Sequence, residues 1–274
     1  MTSQPKKERV DVLLVQRALV DSREQAKRSI MAGLVYANEQ RIDKAGEKIS
    51  TDTPLTVKGN ALKYVSRGGL KLEKALDVFD ITVEDKIVLD IGASTGGFTD
   101  CALQNGARHC YALDVGYNQL AWKIRNDERV TVMERTNFRY ATPDLFTEGL
   151  QTFATIDVSF ISLSLILPAL KQILVPSGEV MALVKPQFEA GKGKVGKKGV
   201  VRERSVHLEV LENIANMAAN EGFSLLDASF SPVTGGEGNI EFLFHLKSTE
   251  QPIMHISTEQ FNELMTEAYE TLNK

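Results

Sequence analysis

The glycine-rich segment at residues 87–99 has the residue types and spacing that point most directly to chemistry. A short apolar run, Ile87 to Leu89, ends in Asp90, and glycines follow at positions 92, 96 and 97 ahead of an amphipathic stretch. This order predicts a strand, a tight turn and the start of a helix, the arrangement with which doubly wound α/β domains hold a nucleoside-bearing cofactor. Glycine suits such a turn because it tolerates positive φ and lets the backbone approach a ligand closely.

The spacing within this segment separates two kinds of cofactor loop. Ser94 stands where a dinucleotide-binding fingerprint would place its second glycine, and the next two glycines are adjacent. The resulting pattern, D-x-G-x-S-x-G-G, is similar to the loop that S-adenosylmethionine (SAM) methyltransferases wrap around the amino-acid end of SAM. A loop for another nucleotide and a purely structural turn stay open. On the SAM interpretation the cofactor-binding residues here are Asp90, Gly92, Ala93, Ser94, Gly96, Gly97 and Phe98.

Two polar residues further along the chain extend this candidate cofactor site. The strand-like run 109–113 ends at Asp114, 22 residues after Gly92. A carboxylate at about this offset accepts the ribose hydroxyls of a bound nucleoside; the alternative is a strand-end carboxylate that caps the next turn. Asn137 follows the predicted strand 130–133 and could reach an adenine ring, although a simple turn asparagine fits equally well.

Charged residues follow two further apolar runs of the predicted sheet. Asp157 ends the run 153–156, and Lys185 ends the run 180–184 just before a proline. Because ligands bind beyond the carboxyl ends of parallel strands in open α/β sheets, we expect both side chains to converge on the site of Gly92. Each residue alone fits a structural ion pair, whereas together they form a candidate catalytic group.

Composition indicates a large domain with a smaller one attached. A chain of 274 residues with 43% hydrophobic content can bury a substantial core. The formal net charge is −4, yet residues 1–75 carry 15 Lys and Arg against 9 Asp and Glu, a balance of +6 that leaves −10 for the remainder. A basic head on an acidic body predicts a polyanionic partner for the head.

The remaining composition points to a reducing, aqueous compartment. The two cysteines, Cys101 and Cys110, make no disulfide framework, and the first ten residues lack the apolar core of a secretory signal. The longest apolar stretch, 161–170, contains a proline and falls short of the ~20 residues of a membrane helix. The four histidines show no metal-ligand spacing. We therefore expect a cytoplasmic protein without a metal.

The basic N-terminal region is predicted to form a small domain of helices and short β-strands. Val10, Leu13 and Leu14 start a helical stripe that extends to Leu19, and residues 22–25 form a capping box for a second helix that ends at Gly33. Short strands are predicted at 34–37 and 55–57. This order resembles the RNA-binding module shared by ribosomal protein S-four, pseudouridine synthases and bacterial tyrosyl-tRNA synthetases. The resemblance implies RNA contacts, mainly to phosphates, from Arg9, Arg23, Lys27 and Arg28.

Read jointly, six motifs resemble the TlyA family over nearly the whole chain. They are SRGGLKL, LDIGASTGGFT, ALDVGYNQLAW, IDVSFISL, LVKPQFEAGKGKVGKKGVV and GNIEFLF, at residues 66–72, 89–99, 112–122, 156–163, 183–201 and 238–244. Members are called hemolysin-like and join an RNA-binding head to an FtsJ-type methyltransferase that modifies the ribose 2′-hydroxyl of cytidine in ribosomal RNA. The resemblance implies a K-D-K-E catalytic tetrad of Lys71, Asp157, Lys185 and Glu241.

The resemblance also implies an architecture. We expect a doubly wound, Rossmann-like α/β methyltransferase sheet preceded by a small α+β RNA-binding domain. The predicted divisions are an RNA-binding domain at 1–60, a linker at 61–70, a methyltransferase domain at 71–250 and a C-terminal helix at 251–274. The chain departs from longer family members at residues 62–65, where Leu-Lys-Tyr-Val replaces an Arg-x-Trp-Val linker. For that reason the resemblance does not carry over their small-subunit target.

Two chemical roles are open for Lys185. A ribose hydroxyl is a poor nucleophile until a base takes its proton, and a lysine is such a base only if its pKa falls through burial or a neighbouring cation. Lys71 could be that cation and orient the ribose, while Asp157 and Glu241 hold the two ammonium groups. Alternatively, Lys185 stays charged and steadies the developing alkoxide.

Two further segments carry recognisable patterns: a lysine-rich loop and the C-terminal region. Residues 191–199 mimic a phosphate-binding P-loop, but Lys198 stands where that motif needs Ser or Thr. We interpret the loop as a cationic flap over RNA, with a disordered surface loop as the alternative. Its contacts to RNA would come from Lys192, Lys194, Lys197 and Lys198, joined by Arg67 at the junction. Beyond residue 250, a capped amphipathic helix is predicted to pack rather than to bind.

Other functions remain as competitors at this stage. A ribosome-binding protein could keep the fold without turnover, and the hemolysin-like label of the family raises a membrane-active protein. A dehydrogenase would bind NAD(H) instead of SAM. The preferred hypothesis is a SAM-dependent ribosomal RNA 2′-O-methyltransferase whose partners are ribosomal RNA or ribosomal subunits.

Overall fold

A computed structural model describes residues 7–20, 22–58, 63–191 and 193–272. The chain divides into two compact units, Met1–Lys63 and Tyr64–Lys274. This division differs from the predicted linker at 61–70, because residues 64–70 belong to the second unit. The side chain of Tyr64 is buried there, and its hydroxyl donates to Glu73 at 3.0 Å.

The described residues of the first unit form two helices and five short strands. In chain order they are β1 (Lys7–Arg9), α1 (Val10–Gln16), α2 (Arg23–Met31), β2 (Val35–Ala37), β3 (Gln40–Arg41), β4 (Lys48–Ser50) and β5 (Leu55–Val57). Within residues 7–58 as described, β1 pairs antiparallel with β4, and β2 pairs antiparallel with both β3 and β5. The predicted strands at 34–37 and 55–57 are confirmed to within a residue.

Local signals set the boundaries of α2. Ser22 is extended, and its side chain accepts a hydrogen bond from the Gln25 backbone N–H at 3.2 Å, so the predicted N-cap is confirmed. The helix ends at Met31, and Gly33 follows with φ +70°. The predicted stripe of α1 was too long, because that helix ends at Gln16 and leaves Leu19 outside it, 38% exposed.

The second unit alternates helices with longer strands. Its elements are α3 (Gly68–Val78), β6 (Ile87–Ile91), α4 (Gly97–Gln104), β7 (His109–Leu113), α5 (Trp122–Arg125), β8 (Val130–Met133), β9 (Phe153–Ile156), α6 (Leu167–Ile173), β10 (Glu179–Val184), α7 (Pro186–Glu189), α8 (Arg204–Asn220), β11 (Phe223–Phe230), β12 (Phe242–Ser248) and α9 (Thr258–Leu272).

In the described part of this unit, seven strands form one sheet in the order β11-β12-β10-β9-β6-β7-β8. Strands β6, β7, β8, β9 and β10 run parallel, whereas β12 runs antiparallel to both of its neighbours. The order steps outward from β6 on both sides, which creates the switch point where open α/β sheets bind ligands.

Both faces of this sheet are covered by helices. Alternate residues of β6 separate between two apolar clusters: Ile87, Leu89 and Ile91 face one, and Val88 faces the other. The first cluster packs against α6, α8 and α9, and the second against α3, α4 and α5. The predicted doubly wound α/β fold is therefore confirmed.

The C-terminal helix α9 completes the first of these clusters. The Ser257 hydroxyl accepts from the Gln260 N–H at 3.3 Å, while the Gln260 side chain accepts from the Ser257 N–H at 2.9 Å. This reciprocal pair is a capping box. Phe261 and Met265 are buried, so the predicted amphipathic helix packs on the sheet.

Candidate functional site

The glycine loop after β6 requires glycine at position 92. Gly92 has φ +89°, and a Cβ atom there would lie 2.4 Å from the carbonyl oxygen of Asp157. A side chain would therefore meet both left-handed strain and a backbone clash. The loop can pass this close to the end of β9 only because the residue is glycine.

Asp90 positions this loop from behind. Its carboxylate is fully buried and accepts from the Thr99 N–H at 3.0 Å, the Thr99 hydroxyl at 2.6 Å and the Thr155 hydroxyl at 2.9 Å. Burial raises the pKa of Asp90 to about 6, against the opposing effect of these hydrogen bonds. The carboxylate faces the start of α4 and strand β9, so its role here is to hold the loop, and its predicted contact with a cofactor stays a prediction.

The side chains of Asp114 and Asn137 both accept hydrogen bonds from backbone N–H groups. The Asp114 carboxylate accepts from the N–H groups of Ser94 at 2.8 Å and Gly116 at 2.7 Å. The Asn137 side chain accepts from the Arg139 N–H at 3.2 Å. Both residues therefore make the turn-capping contacts that the sequence analysis gave as the alternative to cofactor binding. Their contact with a cofactor stays a prediction. For Asp114, the bond to Ser94 ties the ends of β7 and β6 together.

The four predicted catalytic residues converge at the carboxyl edge of the sheet. The Lys71 ammonium lies 2.7 Å from a Glu241 carboxylate oxygen and 3.5 Å from an Asp157 oxygen. The Lys185 ammonium contacts the other Asp157 oxygen and donates to the Ser159 hydroxyl at 3.1 Å. Side-chain exposures are 11% for Lys71, 8% for Lys185, 19% for Asp157 and 3% for Glu241. The four side chains therefore form a compact and mostly buried group of two positive and two negative charges.

Four different elements supply these side chains. Lys71 projects from the first turn of α3, Asp157 follows β9, and Lys185 follows β10. Glu241 directly precedes β12, whose Phe242 pairs with Val184 at the carboxyl end of β10. Because β12 is antiparallel, its beginning lies at the same edge as the ends of the parallel strands.

The two carboxylates and burial have opposite effects on the pKa of Lys71. Burial alone lowers the pKa of the Lys71 ammonium, but attraction to Asp157 and Glu241 outweighs it, and the pKa rises above its ordinary value. Lys71 is therefore held in its charged form. A permanent cation beside a partly open cavity can orient or stabilise an anionic or strongly polar group.

A cavity of about 670 Å³ joins the glycine loop to this group. Such a volume falls in the usual range for small-molecule sites. Its wall includes Gly92, Ala93, Ser94, Gly97 and Phe98 from the predicted cofactor loop, together with all four members of the tetrad. Gly96, Asp90, Asp114 and Asn137 are not among the described lining residues.

Three lining residues carried no usable signal in the sequence. Ser159 and Gln187 look like ordinary turn residues, yet the Gln187 amide donates to Glu241 at 3.4 Å and Ser159 accepts from Lys185. Phe160 is 91% exposed, has φ +63° and packs against the ring of Phe188 at 4.9 Å between centroids. A left-handed backbone at an exposed aromatic residue is unusual, and such residues cluster at functional sites.

The predicted RNA-binding arginines of the first unit share an internal role. Arg9 and Arg23 lie 2.9 Å and 2.8 Å from the carboxylate of Asp11, which is fully buried. Hydrogen bonding by Arg9 is the largest of the effects that lower the pKa of Asp11 to about 2. Both arginine side chains remain roughly half exposed, so their outer N–H groups can still face RNA.

The other predicted cations differ in how freely they reach solvent. Lys27 is exposed, and the Arg28 Nε is buried with no hydrogen-bond partner in the described part of the chain. In the lysine-rich loop, Lys194 pairs with Glu209, while Lys197 is exposed. Lys192 lies outside the described residues. Arg67 and Lys198 are both exposed and line the cavity.

The described residues hold neither a membrane-spanning helix nor a metal-binding cluster. Within those ranges, no helix has the length and apolar character needed to cross a bilayer. No group of three or more His, Cys, Asp or Glu side chains among them is arranged to hold a metal ion.

Comparison with known protein families matches both units. The S4 domain family covers residues 8–53, and the FtsJ-like methyltransferase family covers residues 64–248. The second match alone spans more than half of the chain. The RNA-binding module and the methyltransferase domain inferred from the motifs are therefore both confirmed.

Individual relatives agree with these matches. The Bacillus subtilis protein YqxC, provisionally named an rRNA methyltransferase, is 63% identical over 276 residues that cover 100% of this chain and 98% of YqxC. The 16S/23S rRNA (cytidine-2′-O)-methyltransferase TlyA of Mycobacterium tuberculosis is 43% identical over 88% of this chain and 90% of its own length. A solved Streptococcus thermophilus structure, provisionally named a hemolysin, is 57% identical, covers 99% of this chain and 98% of its own, and has a TM-score of 0.78.

The glycine loop, the tetrad and both family matches agree on one identity. FtsJ-like methyltransferases take their methyl group from SAM, which confirms the predicted cofactor. The chain therefore belongs to the TlyA family, in which an S4 domain precedes an FtsJ-like, SAM-dependent methyltransferase domain.

Proposed function

We propose that this enzyme methylates the ribose 2′-hydroxyl of a cytidine in ribosomal RNA. The observation that carries the proposal is the convergence of Lys71, Asp157, Lys185 and Glu241 on the cavity beside the glycine loop. Relatives named as rRNA (cytidine-2′-O)-methyltransferases support the substrate class and the base. We place the enzyme in the cytoplasm, with ribosomal RNA or a ribosomal subunit as its partner.

The residues on the loop side of the cavity fit SAM. Gly92 and Gly97 line this wall together with Ala93, Ser94 and Phe98. A Cβ atom at either glycine would collide with Asp157 or Ser66, so the loop keeps its path only with glycine at both positions. Asp90 and Asp114 hold the loop through their hydrogen bonds rather than through a wall position. When bound, SAM supplies an activated methyl group on a sulfonium, so that the protein needs only to align and deprotonate the acceptor.

The two lysines of the tetrad differ in the number of carboxylates that contact them, and this difference suggests which one takes the proton. Among the described residues, Lys71 is paired with two carboxylates and Lys185 with one. Lys71 therefore stays an ammonium, and Lys185, which has only one carboxylate partner in the described ranges, is our candidate for the base. Lys185 would accept the proton of the 2′-hydroxyl. Bound SAM would supply the methyl carbon to that oxygen and, as its carbon–sulfur bond breaks, would leave as S-adenosylhomocysteine. Lys71 then faces the developing negative charge on the oxygen.

Cations at two places support RNA as the acceptor. Arg67 and Lys198 are exposed at the wall of the cavity, where they can meet the phosphates on either side of a target ribose. Lys27, Arg9 and Arg23 present positive charge on the S4 unit. Phosphate contacts of this kind give affinity without reading sequence, so they suit structured RNA.

Methyl transfer to ribosomal RNA tests the proposal directly. RNA from cells that lack the protein is incubated with the enzyme and SAM carrying a labelled methyl group, and 2′-O-methyl positions are then mapped. We expect Lys185→Ala to lower the rate by about 10²–10⁴-fold, the usual contribution of a general base. Binding of S-adenosylhomocysteine should persist in this variant.

Lys123→Ala provides the matched control. Lys123 is half exposed and pairs with Asp100 away from the cavity wall, so this variant should keep the wild-type rate. Absence of label in every ribosomal RNA with the wild-type enzyme would refute the proposal. Label that enters a base instead of a ribose would refute the assigned acceptor.

A further inference from the structure

We propose that Ser159 is a positioning residue that aims the nitrogen of Lys185 at the ribose hydroxyl. This inference rests on the proposed function, because it concerns the same proton transfer. Ser159 is not a member of the K-D-K-E tetrad. It would make the catalytic arrangement a group of five residues, with one neutral member.

The contacts place Ser159 where such a role is possible. Its hydroxyl accepts a hydrogen bond from the Lys185 ammonium at 3.1 Å, and its side chain lines the cavity. Ser159 lies two residues beyond Asp157, the other partner of Lys185. Both partners therefore approach the lysine from the same short segment that follows β9.

The geometry of the lysine nitrogen explains why two partners matter. The nitrogen is tetrahedral, and one of its four directions is its bond to carbon. Asp157 and Ser159 take two more, which leaves a single direction toward the open cavity. When Lys185 is neutral, its lone pair occupies that direction. With Asp157 alone, the amine could rotate about its bond to carbon and point the lone pair elsewhere.

A neutral partner suits this task better than a third carboxylate would. The charged groups around the Lys185 nitrogen are Asp157 after β9, Lys71 on α3 and, beyond Lys71, Glu241 before β12. Another carboxylate would hold Lys185 in its charged form. A serine hydroxyl can accept from the ammonium and from the neutral amine alike, so it orients the nitrogen without preventing proton loss.

Removal of the hydroxyl should have two effects. The methyl-transfer rate at saturating SAM and RNA should fall about tenfold, because misplacing a reacting group by a fraction of an ångström is costly. The acidic limb of the pH–rate profile should also move to lower pH by about half a unit, because a hydrogen bond that favours the charged amine is lost. A purely structural role would leave that limb unmoved.

The experiment compares three full-length variants with the wild type. Ser159→Ala removes the hydroxyl, Ser159→Thr keeps it, and Ser164→Ala removes an exposed serine that contacts Ser162 instead of Lys185. Each variant is assayed for single-turnover methyl transfer to ribosomal RNA between pH 6 and 9. Affinity for S-adenosylhomocysteine and the thermal unfolding midpoint are measured in parallel, so that a folding defect is seen separately.

The inference is supported if Ser159→Ala alone is slow and shifted in pH, with unfolding and S-adenosylhomocysteine affinity unchanged. It is overturned if Ser159→Ala matches the wild type in rate and profile, or if Ser159→Thr loses as much as the alanine variant. A wild-type enzyme that transfers no methyl group overturns the proposed function and this inference together. An active wild type with an unaffected serine variant overturns only the inference.

Discussion

At the scale of single residues, the site depends on backbone that comes unusually close to backbone. The loop after β6 passes the end of β9 at Gly92, and the Asp157 N–H donates to the Ile91 carbonyl at 2.9 Å. The same segment carries Asp157, a member of the proposed catalytic tetrad. Under the proposed function, one backbone contact links the cofactor loop to the segment of the catalytic carboxylate, and substitution of Gly92 tests that link.

We expect Gly92→Ala to abolish measurable S-adenosylhomocysteine binding and to lower the unfolding free energy by about 1–3 kcal/mol, through left-handed strain and the clash with Asp157. Isothermal titration and chemical denaturation measure the two effects. Gly191→Ala is the matched control, since Gly191 also has positive φ, at +76°, but a Cβ there meets nothing within 4 Å. If both variants behave alike, the close approach is not what requires the glycine.

At the scale of elements, the antiparallel strand β12 and the helix pair α8 and α9 frame the sheet. Strand β12 brings Glu241 to the catalytic edge. On one face, α8 and α9 meet through His207, whose ring is buried and shares a 2.7 Å hydrogen bond with the Tyr269 hydroxyl. Burial lowers the pKa of His207 to about 4. The packing of α9 is thus linked to pH.

The sign of this linkage follows from the lowered pKa. Between about pH 6.5 and 4 the unfolded chain binds a proton at His207 that the folded chain does not, so stability is full above this window and falls as pH falls through it. The loss should approach about 3 kcal/mol at pH 4, because each unit of pKa shift corresponds to ~1.4 kcal/mol.

Urea denaturation of wild type and His207→Gln at pH 7.5, 5.5 and 4.5 measures this effect. The glutamine variant should lose less stability on acidification than the wild type. His255→Gln, which changes an exposed histidine, should follow the wild-type curve. Equal pH dependence in wild type and His207→Gln would rule out this histidine as the source.

At the scale of the whole molecule, charge is divided along the chain. The S4 unit is basic and the methyltransferase unit acidic, although cations also stand at the wall of the catalytic cavity. Within the described part of the S4 unit, Arg9 and Arg23 form ion pairs with the buried carboxylate of Asp11, whereas Lys27 is exposed and does not contact that carboxylate. Lys27 therefore separates RNA binding from folding more cleanly than either arginine.

We expect Lys27→Ala to weaken binding to ribosomal RNA and to reduce the slope of log affinity against log salt by about one, the change for one lost phosphate contact. The unfolding free energy should not change. Fluorescence anisotropy at several salt concentrations gives the slope, with Lys123→Ala on the acidic unit as the comparison. A slope identical to that of the wild type would remove Lys27 from the interface.

Local features of this chain were predictable because local forces produce them. Ser22 and Gln25 form their cap within one turn, and the continuous apolar run at 87–89 predicts a buried strand before any tertiary contact is considered. The positions of the strands, and hence the carboxyl edge where Asp157 and Lys185 meet, follow from such apolar runs. From the residues alone, Lys71 and Glu241 carried no comparable signal, and only the family resemblance pointed to them.

By itself, then, the sequence determined the strand and helix order, the glycine turn and the edge of the sheet at which chemistry occurs. Only the tertiary structure decided that Asp90 turns inward to Thr99, that Ser159 reaches Lys185, and that Glu241 meets Lys71 across 170 residues of chain. The physical reason is that side-chain direction depends on register and on which distant strands pair. Periodicity records which face of an element is buried, but not which residue of another element lies opposite.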